Sequence, residues 1–174
     1  MHNVLACFLN GGAVNGVTCY AVDSEKGLVP DGVGLRTLGF SARTPPQLGG
    51  PKGSGSDIHF TIDSSKLITT FKGTTKPVSL GHISVFNVDQ NGDVAATFTD
   101  NSMEPFDAPF GFALSEEDPT KMYISDATFG GVLTTLDYST DKISIDGVVN
   151  STKIAAKPTP SVEFTTTFSP YHAS

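Results

Sequence analysis

Residues 57–98 read DIHFTIDSSKLITTFKGTTKPVSLGHISVFNVDQNGDVAATF, a series of short segments separated by turns. Around Ile83 and Val85, apolar and polar residues alternate with a period of two, which is typical of a half-buried β-strand. Asn91 and Gly92 supply the positive φ angles that a tight hairpin needs. The segment therefore predicts antiparallel strands joined by turns, with no helix of about ten residues or more.

The same layout of strand, glycine-containing turn, strand and polar turn occurs twice more, over residues 4–29 and 110–149. The second strands of the three segments align as VTCYAVD, ISVFNVD and LTTLDYS. This alignment puts Tyr20, Phe86 and Leu136 in equivalent positions, 66 and 50 residues apart. Propeller blades usually take about 40–50 residues. The longer first interval is explained by a loop rich in Gly, Pro and Ser, SARTPPQLGGPKGSGS, at residues 41–56.

These repeats predict an all-β fold, a partial β-propeller of about three four-stranded blades. The blades are expected near residues 3–40, 57–100 and 108–150, within a domain that covers residues 1–152. Residues 153–174 contain three prolines and lack the repeated layout, so they are predicted to form an irregular tail.

Composition excludes several classes of partner. The chain has 11 basic and 18 acidic residues, a formal net charge of −7, and no basic stripe for phosphates, so neither nucleic acid nor an anionic membrane surface is expected to bind. No run of about 18 apolar residues is available to span a bilayer. The uncharged stretch 3–22 has no basic n-region and is interrupted by Asn and Gly, so it predicts a hairpin rather than a secretory leader.

A resemblance to a known family lies in three segments: NGGAVNGVTCYAVDSEKGLVP, SGSDIHFTIDSSKLITTFKG and APFGFALSEEDPTKMYISDATFGGVLTTLDYS. They resemble successive blades of fungal secreted propellers described as 3-carboxymuconate-cyclase-like, in the lactonase-type seven-bladed group that includes 6-phosphogluconolactonase. The resemblance covers roughly residues 3–150. It implies a secreted, extracellular lactonase-type propeller, of whose seven blades this chain would carry about three.

In this family, catalysis uses an imidazole, a carboxylate and usually an arginine in the central channel, without metal or cofactor. The resemblance places the carboxylate at Asp126. The expected histidine position is Ser56, and His59 is present but three residues out of phase. Lys72 is the candidate replacement for the arginine, as a point charge without the bidentate fork.

Each of these candidates also has a purely structural interpretation. His59 would be a strand histidine satisfied by a neighbour, Asp126 a turn-binding aspartate, and Lys72 a solvated strand end. The two arginines, Arg36 and Arg43, both lie near the long loop. The predicted catalytic set is therefore incomplete.

No metal or cofactor is predicted. The DQNGD run at residues 89–93 departs from a calcium loop, because Gly92 is fourth instead of sixth and Asp100, not Glu, is twelfth; a hairpin turn is favoured. Neither a phosphate loop nor a dinucleotide fingerprint is present. Two cysteines cannot form a zinc site alone, and the histidines lack metal-pair spacing. The histidines are His2, His59, His82 and His172.

Cys7 and Cys19 flank NGGAVNG and lie symmetrically about Ala13. A symmetric hairpin sets them opposite each other, with a Cα separation of about 4.5 Å, at the short end of the disulfide range. Geometry leaves both a disulfide and two buried thiols open. The secreted context implied by the resemblance favours the disulfide, and Asn150 begins a glycosylation sequon that agrees with it.

Three functional hypotheses follow. The chain is a lactonase or carboxymuconate-cyclase-type isomerase acting on small carboxylated or lactone ligands, a non-catalytic secreted propeller that acts in binding or as a surface antigen, or a truncated relative without independent function. Ser56 and the missing blades favour the second and third hypotheses. We expect negligible turnover from the 174-residue chain and self-association through open blade edges.

Overall fold

A computed structural model describes residues 4–11, 14–40, 53–75, 78–128 and 130–150. These ranges contain fourteen β-strands and no helix, so the all-β prediction is confirmed. No helix long and apolar enough to cross a bilayer occurs in them. The strands form three four-stranded antiparallel sheets and one small hairpin.

The first sheet is centred on β2, with β1 on one edge and both β3 and β4 on the other. Its strands are β1 (Leu5–Gly11), β2 (Asn15–Asp23), β3 (Gly27–Pro30) and β4 (Arg36–Thr37). It has the predicted four strands, but β3 and β4 pair with different parts of β2. Pro30 ends β3 because it has no backbone donor, and the positive φ of Gly34 turns the chain back onto the free part of β2.

The second sheet has the strand order β5-β6-β9-β10. Its strands are β5 (Gly55–Phe60), β6 (Lys66–Phe71), β9 (His82–Val88) and β10 (Val94–Asn101). The small hairpin of β7 (Thr74–Thr75) and β8 (Val78–Ser79) lies between β6 and β9 in the chain. The DQNGD run is the turn between β9 and β10, as predicted: Asp89 Oδ1 accepts hydrogen bonds from Asn91 N and Asp93 N, both at 2.8 Å.

The third sheet is a simple meander in the order β11-β12-β13-β14. Its strands are β11 (Pro109–Leu114), β12 (Lys121–Asp126), β13 (Gly130–Asp137) and β14 (Lys142–Asn150). β5 and β11 are the first strands of their sheets and contact each other, as neighbouring inner strands of a propeller do. β5 also contacts β1, but β1 pairs with β2 as β6 pairs with β9 and as β12 pairs with β13. β1 therefore corresponds to the second strands, and the described part of the first sheet has no strand equivalent to β5 and β11.

The sheets stack in chain order. We call the face on the side of the preceding sheet the back face, and the face on the side of the next sheet the front face. One apolar core lies between the first and second sheets, and another between the second and third. Phe86 and Leu136 lie on the back faces of their sheets and are fully buried there. Tyr20 holds the equivalent position on the first sheet, before which the described chain has no further sheet.

A polar network joins the second sheet to the third; Lys66, Asn101 and Asp141 are buried in it, and Asn87 lies at its exposed edge. Lys66 Nζ lies 2.5 Å from both Asp141 Oδ1 and Asn87 Oδ1, and Asn87 Nδ2 donates to Asp141 Oδ2 at 2.8 Å. Asn101 Nδ2 donates to the Asp141 carbonyl at 3.1 Å, and Asn101 Oδ1 accepts from Ile143 N at 3.0 Å. Because their charges are paired and hydrogen-bonded, Lys66 and Asp141 can be buried.

Cys7 and Cys19 form a disulfide, as predicted, and they are directly opposite in the register of β1 and β2. Val22 N donates to Val4 O, and the alternation of the ladder then makes the cysteine pair a non-hydrogen-bonded one. Its Cα separation is 4.1 Å, close to the separation expected from the symmetric hairpin.

Several predictions concern residues outside the described ranges. The division into a domain at 1–152 and a tail at 153–174 stays a prediction, because residues 151–174 are not described. The sequon at Asn150 also stays a prediction, since its Ser and Thr lie beyond β14. The other predicted positions outside the described residues are His2, Arg43 and His172.

Candidate functional site

Two of the three predicted site residues lie at one end of the sheets. Lys72 directly follows β6, and Asp126 is the last residue of β12, so they take corresponding places in successive sheets. The loop before β11 connects them: Gly73 N donates to Asp107 O at 2.9 Å, and Asp107 N donates to Asp126 Oδ2 at 3.0 Å. At this end, which we call the Lys72 end, β5 and β11 also begin.

Lys72 is buried, with 4% of its surface exposed, so it is not a solvated strand end. Its Nζ lies 3.9 Å from the centroid of the Phe110 ring and 3.4 Å from Ser54 Oγ. Burial lowers the pKa of Lys72 below its ordinary value. A cation held against an aromatic ring is a point charge for a carboxylate or a polarised carbonyl.

The Asp126 carboxylate accepts hydrogen bonds from two loops, the one before β11 and the one after β12. Its Oδ2 accepts hydrogen bonds from Asp107 N at 3.0 Å and Ala108 N at 2.8 Å. Its Oδ1 accepts from Thr128 N at 2.8 Å and Thr128 Oγ1 at 2.5 Å. Four donors occupy the acceptor sites of one carboxylate, which is the arrangement of a turn-binding aspartate. An acid–base role for Asp126 stays a prediction without geometric support.

His59 lies away from the Lys72 end. It pairs with Ile68, whereas the strand pair begins at the Lys72 end with Gly55 opposite Phe71. His59 is four residues after Gly55, which is about 13 Å along the strand from that end. Its ring is half exposed, with Nε2 3.1 Å from Asp57 Oδ1 and an edge-to-face contact to Phe112 at 5.1 Å. The partner Asp57 was missed from the sequence, although a spacing of two residues puts both side chains on one face of a strand.

Ser56 and Arg36 have structural partners. Ser56, at the expected histidine position, donates to Pro109 O at 2.9 Å and so ties β5 to β11. Arg36 is buried, pairs with Asp31 at 2.6 Å and donates to Val94 O at 2.7 Å, which fixes the first sheet to the second. Burial alone would raise the pKa of Asp31, but hydrogen bonds led by the one from Arg36 lower it overall. The Arg36 side chain therefore has a structural role between the first two sheets.

A second imidazole–carboxylate pair was not predicted. His82 Nδ1 lies 2.9 Å from Asp100 Oδ2, and the His82 ring stacks on Phe40 with centroids 3.7 Å apart. The two residues are 18 positions apart, on the third and fourth strands of their sheet. No local pattern in the sequence brings them together.

The described residues line two cavities, one near the His59–Asp57 pair and one at the opposite end from Lys72. One of about 590 Å³ lies on the front face of the third sheet, where Asp57, Gly111, Tyr123, Gly131 and Val149 are among its lining residues. The other, of about 610 Å³, lies between the first two sheets at the end opposite to the Lys72 end. Within the described residues, no group of three or more His, Cys, Asp or Glu side chains is placed to hold a metal ion.

Comparisons with known proteins identify the class of fold. No protein-family model matches the chain, and no curated protein matches its sequence. A solved protein of Bacteroides fragilis, provisionally named a 6-phosphogluconolactonase, is 14% identical with a TM-score of 0.57, over 84% of this chain and 36% of that one. The periplasmic gluconolactonase of Pseudomonas aeruginosa is 16% identical with a TM-score of 0.53, over 86% of this chain and 38% of that one.

At these identities the likeness shows the fold alone. The chain has the fold of part of a β-propeller, similar to that of these two proteins, and it spans little more than a third of their length. The predicted resemblance to lactonase-type propellers is thus confirmed for the fold. Its fungal and carboxymuconate-cyclase parts stay predictions.

Proposed function

We propose that this chain is part of a lactonase-type propeller that binds a small carboxylated or lactone ligand at the Lys72 end, with negligible turnover by the 174-residue chain alone. The observation that carries the proposal is the buried Lys72 ammonium beside the Phe110 ring. Burying a charge is costly, and such groups concentrate at functional sites. A fixed cation in a low-dielectric place is suited to carboxylates and to the polarised carbonyl of a lactone.

The absence of efficient catalysis is proposed because the candidate groups do not converge. Asp126 uses its carboxylate on backbone and threonine donors, and His59 lies about 13 Å along the strand from the Lys72 end. A single positioned acid or base contributes roughly 10²–10⁴-fold to a rate. A lactonase needs several such groups at one reacting atom. A binding role, as in a surface antigen, therefore agrees better with this arrangement.

The binding proposal is tested with a muconate dicarboxylate and a gluconolactone as probes, titrated by calorimetry or NMR. We expect Lys72→Met to weaken muconate binding by tenfold or more, which corresponds to about 1.4 kcal/mol. Lys26→Met, in an exposed turn, is the matched control and should bind as the wild type does. Equal affinities for both variants would refute the Lys72 site.

The alternative is an active lactonase or carboxymuconate-cyclase-type isomerase, and the His59–Asp57 pair favours it. An imidazole oriented by a carboxylate is a common general base, and this pair lies beside the cavity that Asp57 lines. Turnover of either probe that His59→Asn abolishes, while Lys26→Met retains it, would replace the binding proposal with the catalytic one.

An extracellular or periplasmic location is also proposed. Its support is the Cys7–Cys19 disulfide, which persists in oxidising compartments, together with the periplasmic assignment of the Pseudomonas aeruginosa structure. Alkylation followed by mass spectrometry should find both cysteines protected in protein recovered from its native compartment. Two free thiols there would contradict this location.

A further inference from the structure

The back face of the first sheet carries interface residues that no described sheet covers. Thr18, Ser84 and Thr134 are equivalent in the aligned strands, and their cross-strand partners are Phe8, Thr69 and Met122. Thr69 and Met122 are fully buried against the preceding sheet, whereas Phe8 is 47% exposed. Phe8 and Tyr20 form an edge-to-face pair at 5.8 Å, which gives this open face an aromatic ridge.

The front face of the third sheet is open in the same way. Val17, Ile83 and Leu133 are equivalent positions, and Val17 and Ile83 are completely buried against the following sheet. Leu133 is only half-buried, and its cross-strand partner Tyr123 is 57% exposed. Here the surface is concave, because it holds the cavity of about 590 Å³ whose lining includes Gly111 and Gly131.

These two open faces are the two halves of an interface that the molecule already forms twice. In a repeat protein each unit packs only on its neighbours, so a front face is shaped to receive a back face. A second copy of this chain carries both missing halves. An aromatic ridge on one face and a glycine-lined groove on the other also provide complementary shapes.

We propose that two copies of this chain associate head to tail, the front face of each third sheet packing on the back face of the other copy's first sheet. Such heterologous contacts close into a ring when the rotation permits. Propellers close with roughly four to eight blades. The described residues of each copy form three four-stranded sheets, so two copies give six, a number within that range. The association uses sheet faces, not only the strand edges expected from the sequence.

The proposal is tested by measuring the mass of the 174-residue chain by light scattering and sedimentation over a wide range of concentrations. We expect a species of twice the 18.2 kDa chain mass. Phe8→Lys, on the back face, and Tyr123→Lys, on the front face, should each give monomers that circular dichroism shows to be folded. Val78→Lys is the control, because Val78 is exposed on the β7–β8 hairpin and lies on neither face.

Mixing the two face variants provides the decisive measurement. The Phe8→Lys copy keeps its front face and the Tyr123→Lys copy keeps its back face, so a mixture contains one intact interface and should form a heterodimer. A monomeric wild type would overturn the proposal. Dimers that persist in Phe8→Lys alone would show front faces packed together, and a growing series of oligomers would show an open filament; either result overturns the two-copy ring.

Discussion

Both interfaces between neighbouring sheets have an apolar core. They differ in whether the polar side chains within them have hydrogen-bond partners. Between the second and third sheets, Lys66, Asn87, Asn101 and Asp141 satisfy one another. Among the described residues, four buried side-chain atoms lack a hydrogen-bond partner, and all belong to residues facing the other interface. They are Asn15 Oδ1, Thr69 Oγ1, Ser84 Oγ and Asp100 Oδ1.

One repeated position shows how this difference arises. Ser84 and Thr134 are equivalent, and Thr134 Oγ1 donates to Met122 O at 3.2 Å. The Ser84 hydroxyl has no such bond, and neither does the hydroxyl of its cross-strand neighbour Thr69. The same repeat therefore produces one interface closed by protein hydrogen bonds and another whose hydroxyls lack protein partners. Between the first and second sheets the polar contribution should therefore come from Arg36, which pairs with Asp31 and donates to Val94 O, and not from these hydroxyls.

The largest effect is expected from Asp141→Asn. The substitution leaves Lys66 buried without its carboxylate, which typically costs about 3–5 kcal/mol of unfolding free energy. Asn tolerates the positive φ of 59° at this position, so the backbone is not strained. Urea denaturation measures the loss.

Asp146→Asn is the matched control for Asp141→Asn. Asp146 pairs with Lys121 at 2.7 Å, but about a third of each side chain is exposed and solvent screens the pair, so the loss of unfolding free energy should be much smaller than in Asp141→Asn. Similar losses in the two variants would show that the buried network does not dominate the polar stabilisation.

The next largest effect concerns the first sheet. Replacing both Cys7 and Cys19 with Ser removes a cross-link between residues 12 positions apart. The greater entropy of the unfolded chain should then lower the free energy of unfolding by about 3 kcal/mol. Reductant should reproduce the loss in the wild type and should have no effect on the double variant. An unchanged stability would mean that the core between the first two sheets is sufficient without the covalent link.

The features that the sequence predicted are local ones. Alternation and turn residues locate the strands around Ile83 and the turn at Gly92, and symmetry about Ala13 sets Cys7 opposite Cys19. Each depends on residues within one hairpin, where backbone geometry fixes the neighbours. Blade-sized repeats then extend this information to the stacking of the sheets.

Contacts between sheets could not be predicted in this way. Lys66 and Asp141 are 75 positions apart, and no periodicity relates them. The environment of Lys72 likewise depends on Phe110 in the third sheet. The sequence alone was therefore also compatible with Lys72 as a solvated strand end. For Asp126, however, the turn-binding alternative was available from the sequence, because its Thr128 partner is two residues away.

A smaller effect separates the hydroxyls of the two interfaces. Thr134→Val removes a hydrogen bond inside the third sheet and should cost about 1 kcal/mol. Thr69→Val replaces a hydroxyl that has no protein partner with a methyl group of the same shape, so we expect no loss or a slight gain. Thermal or urea unfolding of both variants measures the difference. A larger loss in Thr69→Val would show that its hydroxyl holds an ordered water.

The smallest effect is a pH dependence at the turn that carries Asp141. The Asp137 carboxylate accepts hydrogen bonds from Ser139 Oγ, Thr140 Oγ1 and Ser139 N, and these lower the pKa of Asp137 from 3.8 to about 2. Since the unfolded chain takes up this proton more readily, the stabilisation is fully present above pH 3.8 and is lost as the pH falls through 2. Asp141 N donates to Asp137 O in the same turn, so the network between the second and third sheets should loosen in that pH window. Hydrogen exchange at low pH should find β13 and β14 opening before the disulfide-linked β1 and β2, and Asp137→Asn should flatten the acid dependence of β13 and β14. An unchanged acid dependence in that variant would assign the acid sensitivity to other carboxylates.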